Sequence, residues 1–285
     1  MHTTKLGDTT VYVEAAGTGE TVVLLHCSAS SSAQWRKLST QMADRFHVVA
    51  PDLYGYGKTD PWPGHGPLTL ADEAALVTEA IADVEGPVHL VGHSYGGAVA
   101  LQIAIERPER LRSLTLIEPV AFYLLRHGGL MERTLFDEIG ALADTISRAV
   151  LSGDYHGGMA CFVDFWNGAG AWTKVKDETR TALARQVGKV ALDFGATTRA
   201  PTPLDAIRAM GVPTLILCGQ ESPMATFAIA NMLAEMVTPA HLMMVADAGH
   251  MMPMTHPEAV RDAIVEHVRT TNESTARTGR WPWAA

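Results

Sequence analysis

Six short apolar runs recur along the chain, separated by longer segments in which apolar and polar positions alternate with a helical period. The runs lie at residues 21–25 (TVVLL), 46–50 (FHVVA), 88–91 (VHLV), 114–117 (LTLI), 214–218 (TLILC) and 241–245 (HLMMV). Unbroken apolar runs of this length suit strands covered on both faces, as in a parallel sheet. Helices are predicted at 70–84, 98–106, 227–237 and 257–269, the last opening on Pro257 at a favourable first-turn position. Strand and helix alternate, so the predicted class is α/β, with a mostly parallel central sheet and helices on both faces.

The alternation stops between about residues 121 and 205, where no strand-like run occurs and helical stretches with aromatic residues and glycine take over (CFVDFWNGAGAW). Pro201 and Pro203 close this stretch before the strand pattern resumes. The expected organisation is a core over 1–120, an inserted helical cap over 121–205, a second part of the core over 206–270, and a polar, disordered tail over 271–285.

Composition narrows the function classes. With 285 residues, 47% of them hydrophobic, the chain can bury a large core. The formal net charge of −9 argues against a nucleic-acid partner and against an anionic membrane surface. No apolar stretch approaches a membrane span, and the first residues lack the basic-then-apolar pattern of a secretory signal. Cys27, Cys161 and Cys218 are odd in number and far apart, so no disulfide framework is expected and a reducing cytoplasm is the expected compartment. Neither CxxC nor HExxH occurs, and no phosphate-loop, flavin or nicotinamide fingerprint is complete, so neither metal nor cofactor is expected. The partner called for is a small-molecule substrate; a homodimer remains open.

One motif carries chemistry. The run VHLV enters GHSYGG at residues 92–97, and a helix-forming segment follows. This is G-x-S-x-G in the strand–turn–helix context it needs, with Ser94 at the apex. Gly92 and Gly96 lack a Cβ and allow the tight turn. The helix that follows aims its first N–H groups at the place where negative charge would develop.

With LLHCSAS, APDLYGYGKTD, LVGHSYGGAVA and ADAGHMMPMTHPE in this order, the chain resembles the α/β-hydrolase superfamily over about residues 10–270. The resemblance implies a nucleophilic Ser94 and an oxyanion hole built from the N–H of Tyr95 and that of a loop residue after the third core strand. That loop reads His26-Cys27-Ser28 where the family usually has a glycine in the middle, so Ser28 is the second expected donor, with its hydroxyl as an additional one. Cys27 as nucleophile is disfavoured because it lacks an elbow, and His26 is expected to hold loop backbone. His250, after the strand HLMMV and before the last helix, stands where the family places its base; His93 should point away from the serine.

The acid departs from the pattern. The usual G-x-x-D site reads Gly219-Gln220-Glu221-Ser222, and serine cannot supply charge. Two carboxylates could substitute. Glu118 ends the run LTLI, where some family members carry their acid, and Glu221 stands one position early in the usual loop. A buried strand-end glutamate is costly unless paired, which favours Glu118. Asp247 is expected to structure its loop.

Serine at the elbow suits acyl transfer: a carboxylic ester, lactone or thioester, cleaved through an acyl-enzyme. Cys27, Trp166, Met224 and Met251 are the expected pocket residues, with Phe162, Phe165, Trp172, Met252 and Met254 as further apolar candidates. Two other readings stay open: a hydrolase of C–C bonds in meta-cleavage-type diketones, and a non-catalytic ligand-binding protein that has lost its acid.

Overall fold

The computed structural model describes residues 1–278. Its centre is an eight-stranded sheet. The first half of the chain supplies β1 (His2–Leu6), β2 (Thr9–Ala16), β3 (Glu20–Leu25), α1 (Arg36–Met42), β4 (Phe46–Pro51), α2 (Leu70–Ala80), β5 (Val88–His93), α3 (Tyr95–Glu106) and β6 (Leu111–Ile117). Then come α4 (Leu130–Ser152), α5 (Tyr155–Asn167), α6 (Ala171–Lys174), α7 (Asp177–Ala184), α8 (Val187–Arg199) and α9 (Leu204–Ala209). The chain returns with β7 (Thr214–Gly219), α10 (Met224–Met236), β8 (Ala240–Val245), α11 (Met252–Thr255) and α12 (Pro257–Thr278).

The strands lie in the order β1-β2-β4-β3-β5-β6-β7-β8. β1 and β2 run antiparallel to their neighbours, and every pairing from β4 to β8 is parallel. Alternation of side chains gives the inner parallel strands two buried faces, while β8, at the sheet edge, leaves His241 and Met243 exposed. Val23, Leu25, Leu90, Leu116 and Ile216 face the layer of α2, α3 and α10. Val22, Leu24, Val91, Leu215 and Leu217 face α1 and α12, where Leu38, Met42, Val260 and Ile264 are fully or almost fully buried. All six apolar runs are strands, within a few residues of their expected ends.

Two strands were not foreseen and two expectations are corrected. β1 and β2 had no apolar run to announce them: HTTKL is largely exposed at the sheet edge, and TTVYVEAA mixes polar and apolar positions. Helix α2 starts where expected, on a capping box between Thr69 and Asp72, but ends at Ala80, where a turn closed by the Ala82 N–H on the Glu79 carbonyl (3.1 Å) takes over. The polar segment from residue 271 does not leave the fold there: it continues α12 to Thr278, with Thr271 buried and Asn272 donating to Glu20 Oε2 at 2.8 Å. The rest of the expected tail, residues 279–285, lies outside the described residues.

Between β6 and β7 the described residues form helices and turns but no strand. No described helix is long and apolar enough to cross a membrane.

Candidate active site

β5 ends in a turn that places Ser94 at φ 57°, ψ −117°, a backbone region costing on the order of 1–3 kcal/mol for a residue with a Cβ. Hydrogen bonds hold it there: the Ser94 N–H donates to the Ile117 carbonyl (2.9 Å), and its own carbonyl accepts from Gly97 (2.9 Å), Ala98 (3.1 Å) and Val120 (3.2 Å). The two motif glycines are required by close approach. A Cβ on Gly92 would stand 2.3 Å from the Gly96 carbonyl oxygen, and one on Gly96 would stand 2.5 Å from that of His26. The elbow therefore fits against β3 with no room for any other residue.

Three residues from the ends of three parallel strands meet in one chain of hydrogen bonds. Ser94 Oγ lies 2.9 Å from His250 Nε2, and His250 Nδ1 lies 2.6 Å from Glu118 Oε2. An ionised carboxylate only accepts, so Nδ1 carries the hydrogen and Nε2 is left free to accept from the serine hydroxyl. Glu118 is fully buried, and its second oxygen accepts from the Gly219 N–H (2.7 Å) and from the Ser222 hydroxyl. Losing water would cost a lone carboxylate several kcal/mol; three donors, one from the imidazole, offset it. Glu221 is exposed and takes no part in this chain. Ser222, at the usual acid position, instead donates its hydroxyl to Glu118 from the neighbouring strand end.

The loop after β3 is held by side chains on both sides. His26 donates through Nδ1 to the Cys27 carbonyl (2.8 Å) and accepts the Leu53 N–H through Nε2 (3.0 Å). Burial pushes its pKa down to about 4, which keeps it neutral for this double role. The Cys27 N–H is engaged by Gln34 Oε1 at 3.1 Å, so it offers nothing to a substrate. Burial pushes the Cys27 thiol up to about 12, leaving it a poor nucleophile. Ser28 and Ser94 both line one cavity, while Tyr95 opens α3, where helix geometry leaves first-turn N–H groups without a helical partner. The Ser28 hydroxyl does not face a substrate as an extra donor: it donates to Asp193 Oδ2 at 2.5 Å.

His93 points away from Ser94 and closes a link that the sequence did not reveal. Its Nδ1 accepts from Gln34 Nε2 (3.0 Å) and its Nε2 donates to the His250 carbonyl (2.8 Å). Burial drives its pKa well below the ordinary range. Gln34 thus ties the loop after β3, through a neutral imidazole, to the backbone of His250. A glutamine in a loop carries no sequence signal for such a role.

Ser94 and His250 line a cavity of about 450 Å³, with Glu118 buried behind the imidazole. Of the expected pocket residues, Cys27, Trp166, Met251, Phe162 and Met254 line it, with Met159 and Leu183. Met224 does not: Pro223 caps α10 and Met224 starts it, 57% exposed. Met252 is core, while Phe165 packs edge-on against Trp166 and Trp172 is buried outside the wall. The Trp166 indole stacks on the His250 ring with centroids 3.7 Å apart and planes 16° apart, covering the face of the imidazole.

Four non-glycine residues among those described adopt a left-handed φ: Ala29 (55°), Ser94 (57°), Glu118 (46°) and Asp247 (55°). Each belongs to one of the four loops that build this site. Strain gathered at one place is characteristic of sites whose geometry is over-determined by their surroundings.

Comparison with known proteins agrees with this architecture. The first curated relatives match over little more than a third of the chain. One is the dihydrolipoyllysine-residue acetyltransferase component of the acetoin cleaving system of Cupriavidus necator, 36% identical over 113 residues, which are 39% of this chain and 29% of that protein. The pimeloyl-[acyl-carrier protein] methyl ester esterase of Aeromonas hydrophila is 27% identical over 90% of this chain and 98% of its own. A hydrolase of Pseudomonas aeruginosa PA01 superposes with a TM-score of 0.77 at 20% identity, over 94% of this chain and 97% of that one. The profile of the alpha/beta hydrolase family matches residues 22–263, and with its eight-stranded, mostly parallel sheet the chain belongs to that family of hydrolytic enzymes.

Proposed function

We propose that the protein is a serine hydrolase that cleaves a carboxylic ester, or a related acyl bond, of a small neutral substrate. The observation that carries this reading is the hydrogen-bonded sequence Ser94–His250–Glu118, with Ser94 and His250 opening onto an apolar cavity. Ser94 Oγ attacks the carbonyl carbon while His250 Nε2 takes its proton, and Glu118 stabilises the imidazolium and fixes the tautomer. The oxyanion is received by the N–H groups of Ser28 and Tyr95, worth several kcal/mol in the transition state. His250 returns the proton to the leaving alkoxide, and water, activated by the same imidazole, then hydrolyses the acyl-enzyme.

The lining sets the substrate class. Phe162, Val163, Trp166 and Leu183 form an apolar wall, and among the described residues no Lys, Arg, Asp or Glu side chain lines the cavity. A substrate carboxylate would lose its water there without a partner, a cost of several kcal/mol, so neutral esters are favoured over carboxylate-bearing dienoic diketones. The test is a panel of short- and medium-chain p-nitrophenyl esters with a fluorophosphonate probe. Wild type should turn over and label on Ser94, and Ser94→Ala should lose about a millionfold in kcat. Turnover of dienoic diketones with none on esters, or labelling that survives Ser94→Ala, would overturn the reading.

A further inference from the structure

Beneath the inserted helices lies a cluster of buried charge that the chemistry just described does not use. Glu73 of α2 is fully buried and Asp193 of α8 almost so, and Lys189, one helical turn before Asp193, stands between them. Lys189 Nζ donates to Glu73 Oε1 at 3.0 Å and to Asp193 Oδ1. It also sits over two aromatic rings, 4.5 Å from the centroid of Tyr56 and 4.6 Å from that of Tyr95. Burial opposes its charge, but the two carboxylates outweigh burial and hold its pKa above the ordinary lysine value.

Each carboxylate of this cluster also reaches the candidate oxyanion hole. Asp193 Oδ2 accepts from the Ser28 hydroxyl (2.5 Å) and from the Tyr56 hydroxyl (2.6 Å). Glu73 Oε1 accepts from the Tyr95 hydroxyl (3.2 Å), and Glu73 Oε2 from the Tyr54 N–H (3.2 Å). Burial pushes both phenols well above their usual range, so both remain donors. Ser28 and Tyr95 are the two residues whose N–H groups were assigned to the oxyanion, and the side chain of each ends on this one cluster. A buried charge left without its partner is costly, so removing α8 from its seat would strand Glu73 and free Ser28 together. Ser28 lies next to Ala29, which holds φ 55°, so the loop needs such a restraint to keep its N–H aimed.

We infer that Lys189 and Asp193 are positioning residues through which the inserted helix α8 sets the oxyanion hole, Asp193 by holding Ser28 and Lys189 by holding Glu73 and with it Tyr95. The inference rests on the hydrolase reading above and adds to it: the hole is assembled from the inserted helices as well as from the sheet.

The experiment compares Asp193→Asn, Ser28→Ala and Tyr56→Phe with wild type on an ester that wild type turns over. It measures kcat, KM, thermal midpoint and the affinity for a trifluoromethyl ketone, which forms a tetrahedral adduct on the serine. Asp193→Asn should lose about 10- to 100-fold in kcat, with an equal loss in ketone affinity and KM within about threefold. Tyr56→Phe removes the other hydroxyl on the same carboxylate oxygen. It should lower the thermal midpoint while leaving kcat within about threefold, which separates a merely structural cluster from one that aims Ser28. Should Asp193→Asn fail to fold, Ser28→Ala carries the test, because its hydroxyl is the link to Asp193. A folded Asp193→Asn or Ser28→Ala with full kcat and full ketone affinity would overturn the inference and leave the hydrolase reading intact. Absence of turnover and of ketone binding in wild type would remove both.

Discussion

The turns after β6 and β7 are neighbours, since their strands run parallel with Ile117 opposite Leu217, yet they contribute unevenly to the hydrogen bonds around Glu118. The turn after β6 supplies the charge: Glu118 is fully buried, with φ 46° and one oxygen on His250. The turn after β7 supplies only donors, the Gly219 N–H and the Ser222 hydroxyl, both on the other Glu118 oxygen, while Glu221 is exposed. What the imidazole needs is a negative charge at one point in space beside Nδ1, and either of two adjacent strand ends can bring it there. Once one does, the other is free to become its solvation shell.

The sharpest way to break this comparison is to neutralise each carboxylate in turn. Glu118→Gln should cost about four orders of magnitude in kcat, because the amide can present its N–H₂ to Nδ1 and favour the wrong tautomer. Glu221→Gln should leave kcat within about threefold. Steady-state kinetics on one ester decides it, and equal effects, or the reverse, would mean that the acid belongs to the β7 turn after all.

A second variant asks whether the charge can be moved. Ser222→Asp alone places a second carboxylate beside Glu118, and like charges in a buried site disfavour both ionising, so kcat should fall and the thermal midpoint with it. Glu118→Gln combined with Ser222→Asp should recover about 10- to 100-fold of the activity lost by Glu118→Gln. No recovery in a folded double variant would show that the β7 turn cannot aim a carboxylate at Nδ1.

How far this arrangement is legible in the sequence depends on what each residue type costs where it stands. The inner parallel strands could be read because both their faces are buried and they must be continuously apolar; β8 could be read from its run HLMMV although it lies at the edge. β1 and β2 could not: β1, at the sheet edge, carries threonine and lysine at low cost, and β2, between β1 and β4, mixes polar with apolar positions. Glu118 could be singled out because a glutamate ending an apolar strand demands a partner. Ser222 left no such mark: serine is inexpensive anywhere, and its role exists only through Glu118. The same holds for Lys189 and Asp193, which at four residues apart look like an ordinary exposed helix pair until α8 is docked. Met224 was misplaced because nearness in sequence to the loop after β7 does not say which way a side chain points, and at the start of α10 it is exposed.

A smaller effect sharpens the supporting role of the β7 turn. Ser222→Ala removes one of two donors to Glu118 Oε1 and leaves the Gly219 N–H at 2.7 Å. One such bond is worth about 1 kcal/mol, so kcat should fall about fivefold, with KM unchanged. A loss like that of Glu118→Gln would mean that the hydroxyl, and not the carboxylate, organises the imidazole.

The smallest effect is read on a bystander. Cys218 is the last residue but one of β7, beside Glu118, and its thiol is pushed up to about 12, first by burial and then by the carboxylate's charge, which disfavours a second negative charge nearby. The thiol is therefore protonated and slow toward disulfide reagents at pH 8, and begins to react only as pH climbs toward that value. Glu118→Gln removes the second cause and leaves the first. The pKa should move down, yet stay above the ordinary thiol value, so the rise in reaction rate shifts to lower pH. The measurement uses a Cys161→Ser background, because Cys161 is the one free cysteine that is not buried and would otherwise dominate the signal. Cys27, also held near 12, stays silent over the same range. An unchanged pH profile would mean that the charge of Glu118 does not reach the Cys218 thiol and that burial alone raises its pKa.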